Sequence, residues 1–131
     1  MRAFTLVEII IVVAIIALLA SVGIPGLLRS RMSSNEATAQ ATLKTISNSC
    51  NMFALAHAGS YPESEDQLRE DVPPYQNQAY CDASLHGYDY TCDFESTEYT
   101  ATASPSSCGR TGSKDYTITA SGFITSVPCG G

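Results

Sequence analysis

The chain has no tryptophan, two histidines and seven cationic side chains in 131 residues. The cations are scattered: Arg2, Arg29, Arg31, Lys44, Arg69, Arg110 and Lys114. No basic stripe forms, so binding nucleic acid by neutralising phosphates has no support, and no nucleic-acid partner is expected. His57 and His86 stand far apart with nothing beside either to mark it as a base, and no active site is legible, so an enzyme is not expected. No two cysteines are spaced C-x-x-C, which disfavours a zinc ribbon. Residues 108–115, CGRTGSKD, contain Gly-Ser-Lys but not the spacing of a phosphate loop. Asp82, Asp89, Asp93, Glu95 and Asp115 lack EF-hand spacing and read as solvated acidic surface. No metal or cofactor is expected. Charge is sparse overall, at 15%, with a net value of −6.

What the chain has in abundance is apolar sequence at one end. Residues 4–24 carry a single charge, Glu8. As a helix this run reaches about 30 Å, the thickness of a bilayer's hydrocarbon core. A cleaved secretory signal is the rival reading. Its apolar region should be shorter, Glu8 interrupts it, and ALLASVG is only a loose cleavage match. Arg2 precedes the run and Arg29 and Arg31 follow it, so flanking charge does not orient it. The five cysteines do: Cys50, Cys81, Cys92, Cys108 and Cys129 read as disulfide formers, which places the C-terminal region outside the cytoplasm. An odd count leaves one unpaired. Glu8 raises a separate question, because a carboxylate in a bilayer costs roughly 2.5–3.5 kcal/mol at the midplane. It needs a partner.

After Pro25 the pattern becomes amphipathic. Leu28, Met32, Ala39, Leu43, Ile46, Cys50 and Phe53 recur every three or four residues, and Gly59 and Pro62 end the helix. The whole helix, from Phe4 to about His57, would be ~80 Å long. A loop with one helical turn near residues 66–70 follows. Strand-like alternation then recurs at 87–93, 98–104, 114–120 and 122–127, each run rich in Thr, Tyr and Ile. These elements make an α+β fold, a long helix packed on a four-stranded antiparallel meander. One sheet face packs on Leu43, Ile46 and Phe53, and the Thr-rich face meets solvent. A hairpin about Ser121 returns Cys129 to the vicinity of Gly112 and Cys108, which pairs Cys108 with Cys129. Cys81 then pairs with Cys50 or Cys92. The Tyr-rich head is left as candidate binding surface, and TATASPSS as a compositional site for O-glycans.

The run FTLVEIIIVVAIIALLASVGIP resembles the N-terminus of type IV pilins and type II secretion pseudopilins. The resemblance is specific over residues 4–28 and weaker over residues 29–54. It implies a leader of residues 1–3, a membrane and filament-core helix of residues 4–28, an amphipathic helix of residues 29–58, and a head of residues 59–131. It further implies that a prepilin peptidase cuts between Ala3 and Phe4, and that Phe4 is then N-methylated. The family usually has Gly before the cut, where this chain has Ala3. The partners it implies are copies of the same chain, a platform membrane protein and an assembly ATPase. The precursor waits in the inner membrane, and the assembled filament stands on the cell surface.

In such a polymer Glu8 meets the Phe4 amine of a neighbouring copy. Stranding either charge would cost about 3–5 kcal/mol, which makes the pair a register device. Gly23 and Pro25 weaken the helix, and by resemblance that stretch melts on assembly. The C-terminal cysteine bond resembles surface pilins, which favours the major pilin. Residues 61–68, YPESEDQL, resemble the loop of the major pseudopilin, which is the alternative. A third reading is a single-span, disulfide-stapled binding module.

Overall fold

A computed structural model describes residues 3–130. Its longest element is helix α1 (Leu6–Ala56), which crosses from one compact unit, ending at Arg31, into a second that begins at Met32. In the first unit no described side chain is buried. In the second, Ala39, Leu43, Ile46, Cys50 and Phe53 are buried, as their three- and four-residue spacing requires. Leu28 was expected on the same stripe but is 54% exposed, because it falls in the first unit. Helix α1 ends where Ala58 turns left-handed (φ 56) and the Gly59 N–H returns to the Ala54 carbonyl at 2.8 Å. The terminating position is therefore Ala58 as well as Gly59.

The short helix α2 (Glu65–Glu70) places Leu68 in the core. Five strands follow: β1 (Ser84–Leu85), β2 (Tyr88–Phe94), β3 (Tyr99–Pro105), β4 (Lys114–Thr119) and β5 (Ile124–Pro128). They pair in chain order, all antiparallel. The sequence reading had four. The additional β1 exists because His86 (φ 49) and Gly87 (φ 79) form a two-residue turn that folds Leu85 onto Tyr88. Positive φ at both central residues is what a tight hairpin with the sheet's twist demands. Gly87, expected in the strand, belongs to this turn.

Register sorts the two faces. Tyr90, Ala103 and Tyr116 lie side by side on the inner face, as do Cys92, Ala101, Ile118 and Ile124. Large and small residues thus alternate across the strands and fill the space above α1. Thr91, Thr102, Thr117 and Thr125 form the corresponding row on the outer face. Tyr88, Tyr90, Tyr99 and Tyr116 are buried, so these four belong to the core and not to a binding surface, while Tyr61, Tyr75 and Tyr80 are half-buried against it. Phenols fit there when their hydroxyls find partners. Tyr99 shares a 2.7 Å hydrogen bond with Ser47, and Tyr88 donates to the Lys114 carbonyl at 3.0 Å.

Cys108 is bonded to Cys129, as the hairpin geometry predicts, and Cys81 to Cys92. Cys50 is the free thiol, buried among the apolar side chains of the core.

Candidate functional site

Before Met32, residues 6–31 form a helix with its apolar side chains in the open. Its most apolar window has a mean hydropathy of 2.9 and none of it is buried, so α1 is long and apolar enough to cross a membrane. Phe4, Leu6, Val22 and Leu18 are all more than two-thirds exposed. A Leu or Ile side chain stabilises by about 1.5–3 kcal/mol when fully buried, so a water-facing segment of this composition is strongly driven to find cover.

The start of α1 is built by two residues. The Glu8 carboxylate accepts the Thr5 backbone N–H at 3.0 Å, and the Glu8 N–H donates to the Thr5 hydroxyl at 3.2 Å. This reciprocal pair is a capping box, Thr at the N-cap and Glu three residues on. It satisfies two backbone donors that a helix start otherwise leaves open. Glu8 therefore has a partner within its own chain, which the apolar context had hidden. The signal was present as Thr-x-x-Glu ahead of an apolar run.

Ala3 and Phe4 lie before the helix, both exposed, so the bond proposed for cleavage is in non-helical backbone. Met1 and Arg2, the rest of the expected leader, lie outside the described residues. Gly23 and Pro25 sit inside α1, which is helical through both. Pro25 has no N–H to give to the Ser21 carbonyl, so one rung of the ladder is missing there. The Ser21 hydroxyl donates to the Leu18 carbonyl at 2.7 Å, a local bond that competes with the helix ladder.

Of the other groups singled out from sequence, Asp82 and Asp93 share one cleft, which neither His57 nor Asp89 lines. His57 stacks on Phe53, with ring centroids 3.8 Å apart, and its Nδ1 lies 2.8 Å from the Phe53 carbonyl. Asp82 and Asp93 line an open cleft of about 360 Å³ with Glu63, Glu65 and Asp66, beside the Cys81–Cys92 bond. Asp89 is elsewhere, accepting from Ser84 and Ser106 hydroxyls that hold its carboxyl below the usual range. Among the described residues no three of His, Cys, Asp or Glu gather as a metal site. Burial pushes the Cys50 thiol up to about 12, with the Glu65 charge adding to the effect. Such a thiol is inert at neutral pH.

Two carboxylates that sequence reasoning passed over hold loops in place. Glu65 accepts from the Tyr80 and Cys81 amides and from the Gln76 side chain. Glu36 accepts from both the N–H and the hydroxyl of Ser113. Neither lies in a recognisable motif, because each acts across a large sequence separation.

No family model, curated protein or solved structure matches the chain.

Proposed function

We propose that the chain is a structural filament subunit of the type IV pilin class, held in the inner membrane by residues 4–28 until assembly. The observation that carries this reading is the division of labour within the chain. The core of the second unit is drawn from Ala39 onward, and the apolar helix of the first unit by itself leaves every described side chain unburied. That helix has the length to span lipid and the composition to pack with copies of itself.

In this reading, a prepilin peptidase cuts between Ala3 and Phe4, and the new Phe4 amine is methylated. A platform protein and an ATPase then move the subunit from lipid into the growing bundle and on to the cell surface. Glu8 changes partner on the way: in the single chain it caps its own helix, and in the bundle it also faces the amine of a neighbouring copy. In that apolar setting the pair is far stronger than it would be in water. Gly23 and Pro25 mark where α1 gives way on assembly, since a missing rung and a poor helix former coincide there.

Mass spectrometry of the mature N-terminus tests the reading. N-methyl-Phe4 supports it, intact Met1 supports a single-span module, and a start beyond Ala20 supports a secreted domain. The major pseudopilin is the alternative within the class. Electron microscopy of sheared cells distinguishes it, since a surface pilus is recovered as long fibres and a secretion pseudopilus is not.

A further inference from the structure

The first residues of the second unit are held to it by polar contacts and bury no side chain fully. Between Met32 and Thr38 no side chain of α1 is fully buried, Met32 is half-buried, and the first fully buried apolar residue is Ala39. Across that stretch Asn35 Nδ2 donates to the Thr111 carbonyl at 3.0 Å, and Glu36 Oε1 accepts the Ser113 N–H at 2.9 Å and its hydroxyl at 2.6 Å. Both partners lie in the loop of residues 106–113.

That loop is a separate small body. The Thr111 N–H and the Arg110 N–H return to the Ser107 carbonyl, and the Thr111 hydroxyl takes the Ser107 N–H. Cys108 is bonded to Cys129, whose N–H reaches the Ser113 carbonyl at 3.0 Å. Gly112 lies flat against Tyr88, where a Cβ would run into the phenol oxygen and ring. The loop is therefore braced to the sheet covalently and by close fit, and it presents two partners to the helix.

We propose that the Asn35–Glu36 contact with this loop is an acid-sensitive latch, which opens locally and releases residues 32–38 of α1 while the core behind Ala39 stays closed. Local opening of this kind is favoured where an element buries few apolar side chains, and between Met32 and Thr38 none is fully buried. The titratable groups around Glu36 are Lys114 and Tyr116 on β4 and Tyr88 on β2. Lys114 favours the ionised carboxylate, and the two phenols stay neutral because burial raises them. Arg110, on the loop itself, is exposed, and among the described residues the one ion pair is Arg69–Asp66, so no cation touches the carboxylate. The Ser113 hydroxyl and N–H, aided by Lys114, hold the Glu36 carboxyl below its ordinary value of 4.5. A lowered value means the latch is closed above that pH and opens as pH falls through the folded value.

The test is amide hydrogen exchange by NMR on the full chain in detergent micelles, with protection compared at about pH 6 and about pH 3. In the parent protein, Ser113 protection should fall several-fold on acidification, about tenfold at most for an exposed charge-assisted bond, while Leu43, Ile46 and Ile118 keep theirs. Glu36→Gln should show low, pH-independent protection at Ser113. Gly112→Ala should open the loop at both values with Glu36 intact. The proposal is overturned if Glu36→Gln keeps the parent's pH-dependent protection at Ser113. It is equally overturned if Ser113 in the parent loses protection only in step with Ile118. Should Gly112→Ala unfold the core, the other two samples decide.

Discussion

At residue scale, Glu8 has two jobs that one substitution can separate. Gln at the same position still reaches back to the Thr5 N–H but carries no charge. If the register pair matters, Glu8→Gln should fail to form fibres as completely as Glu8→Ala, as counted by electron microscopy of sheared cells. If the cap is what matters, Glu8→Gln should assemble and Thr5→Val should not. The cap alone is worth about 1 kcal/mol, which frays a first turn without unfolding a helix. Cys50 gives a second residue-scale expectation. Native protein should take up no alkylating reagent at neutral pH, and unfolded, unreduced protein should take up one equivalent, read by mass. Labelling of the folded chain would mean that the thiol is not sealed in the core.

At the scale of elements, the C-terminal hairpin is held by more than its ladder. Strand β5 is one of the sheet's two edge strands, opposite β1, and is mostly exposed. The Cys108–Cys129 bond closes the chain end around it. Replacing both cysteines by Ser should lower the unfolding free energy by about 2–4 kcal/mol, seen as a fall in the denaturant midpoint. A substitution in the core's polar pair should act differently. Ser47→Ala removes the 2.7 Å partner of the buried Tyr99 hydroxyl and leaves it only the 3.5 Å contact to Asn51 Oδ1, at a cost of about 1 kcal/mol. The α1 stripe, the strand alternation and the 108–129 pairing were legible because each depends on local period or a single hairpin. Strand β1 was not, because a two-residue strand has no period to detect. Its one signal was the His-Gly turn.

At the scale of the whole molecule, the two units make different demands on their surroundings. A chain beginning at Met32 should be a folded monomer without detergent, since the core residues all lie beyond that point. The full chain should require detergent or self-association. Light scattering and circular dichroism on the two forms check this. A dispersed full-length monomer in plain buffer would remove the basis for the filament reading, and an unfolded truncated form would show that the helix start supports the sheet.

The sequence by itself determined the kinds of structure: an apolar segment of spanning length, an amphipathic continuation, alternating strands and enough cysteines for disulfides. Those follow from composition and short-range period, which every stretch of chain carries with it. Only the tertiary structure decided that Cys92, not Cys50, pairs with Cys81, that Tyr88, Tyr90, Tyr99 and Tyr116 turn into the core, and that Glu36 grips Ser113. Each joins residues far apart in the chain or depends on which face of a strand turns inward. Such contacts are settled by packing, where neighbours are chosen by space and not by sequence.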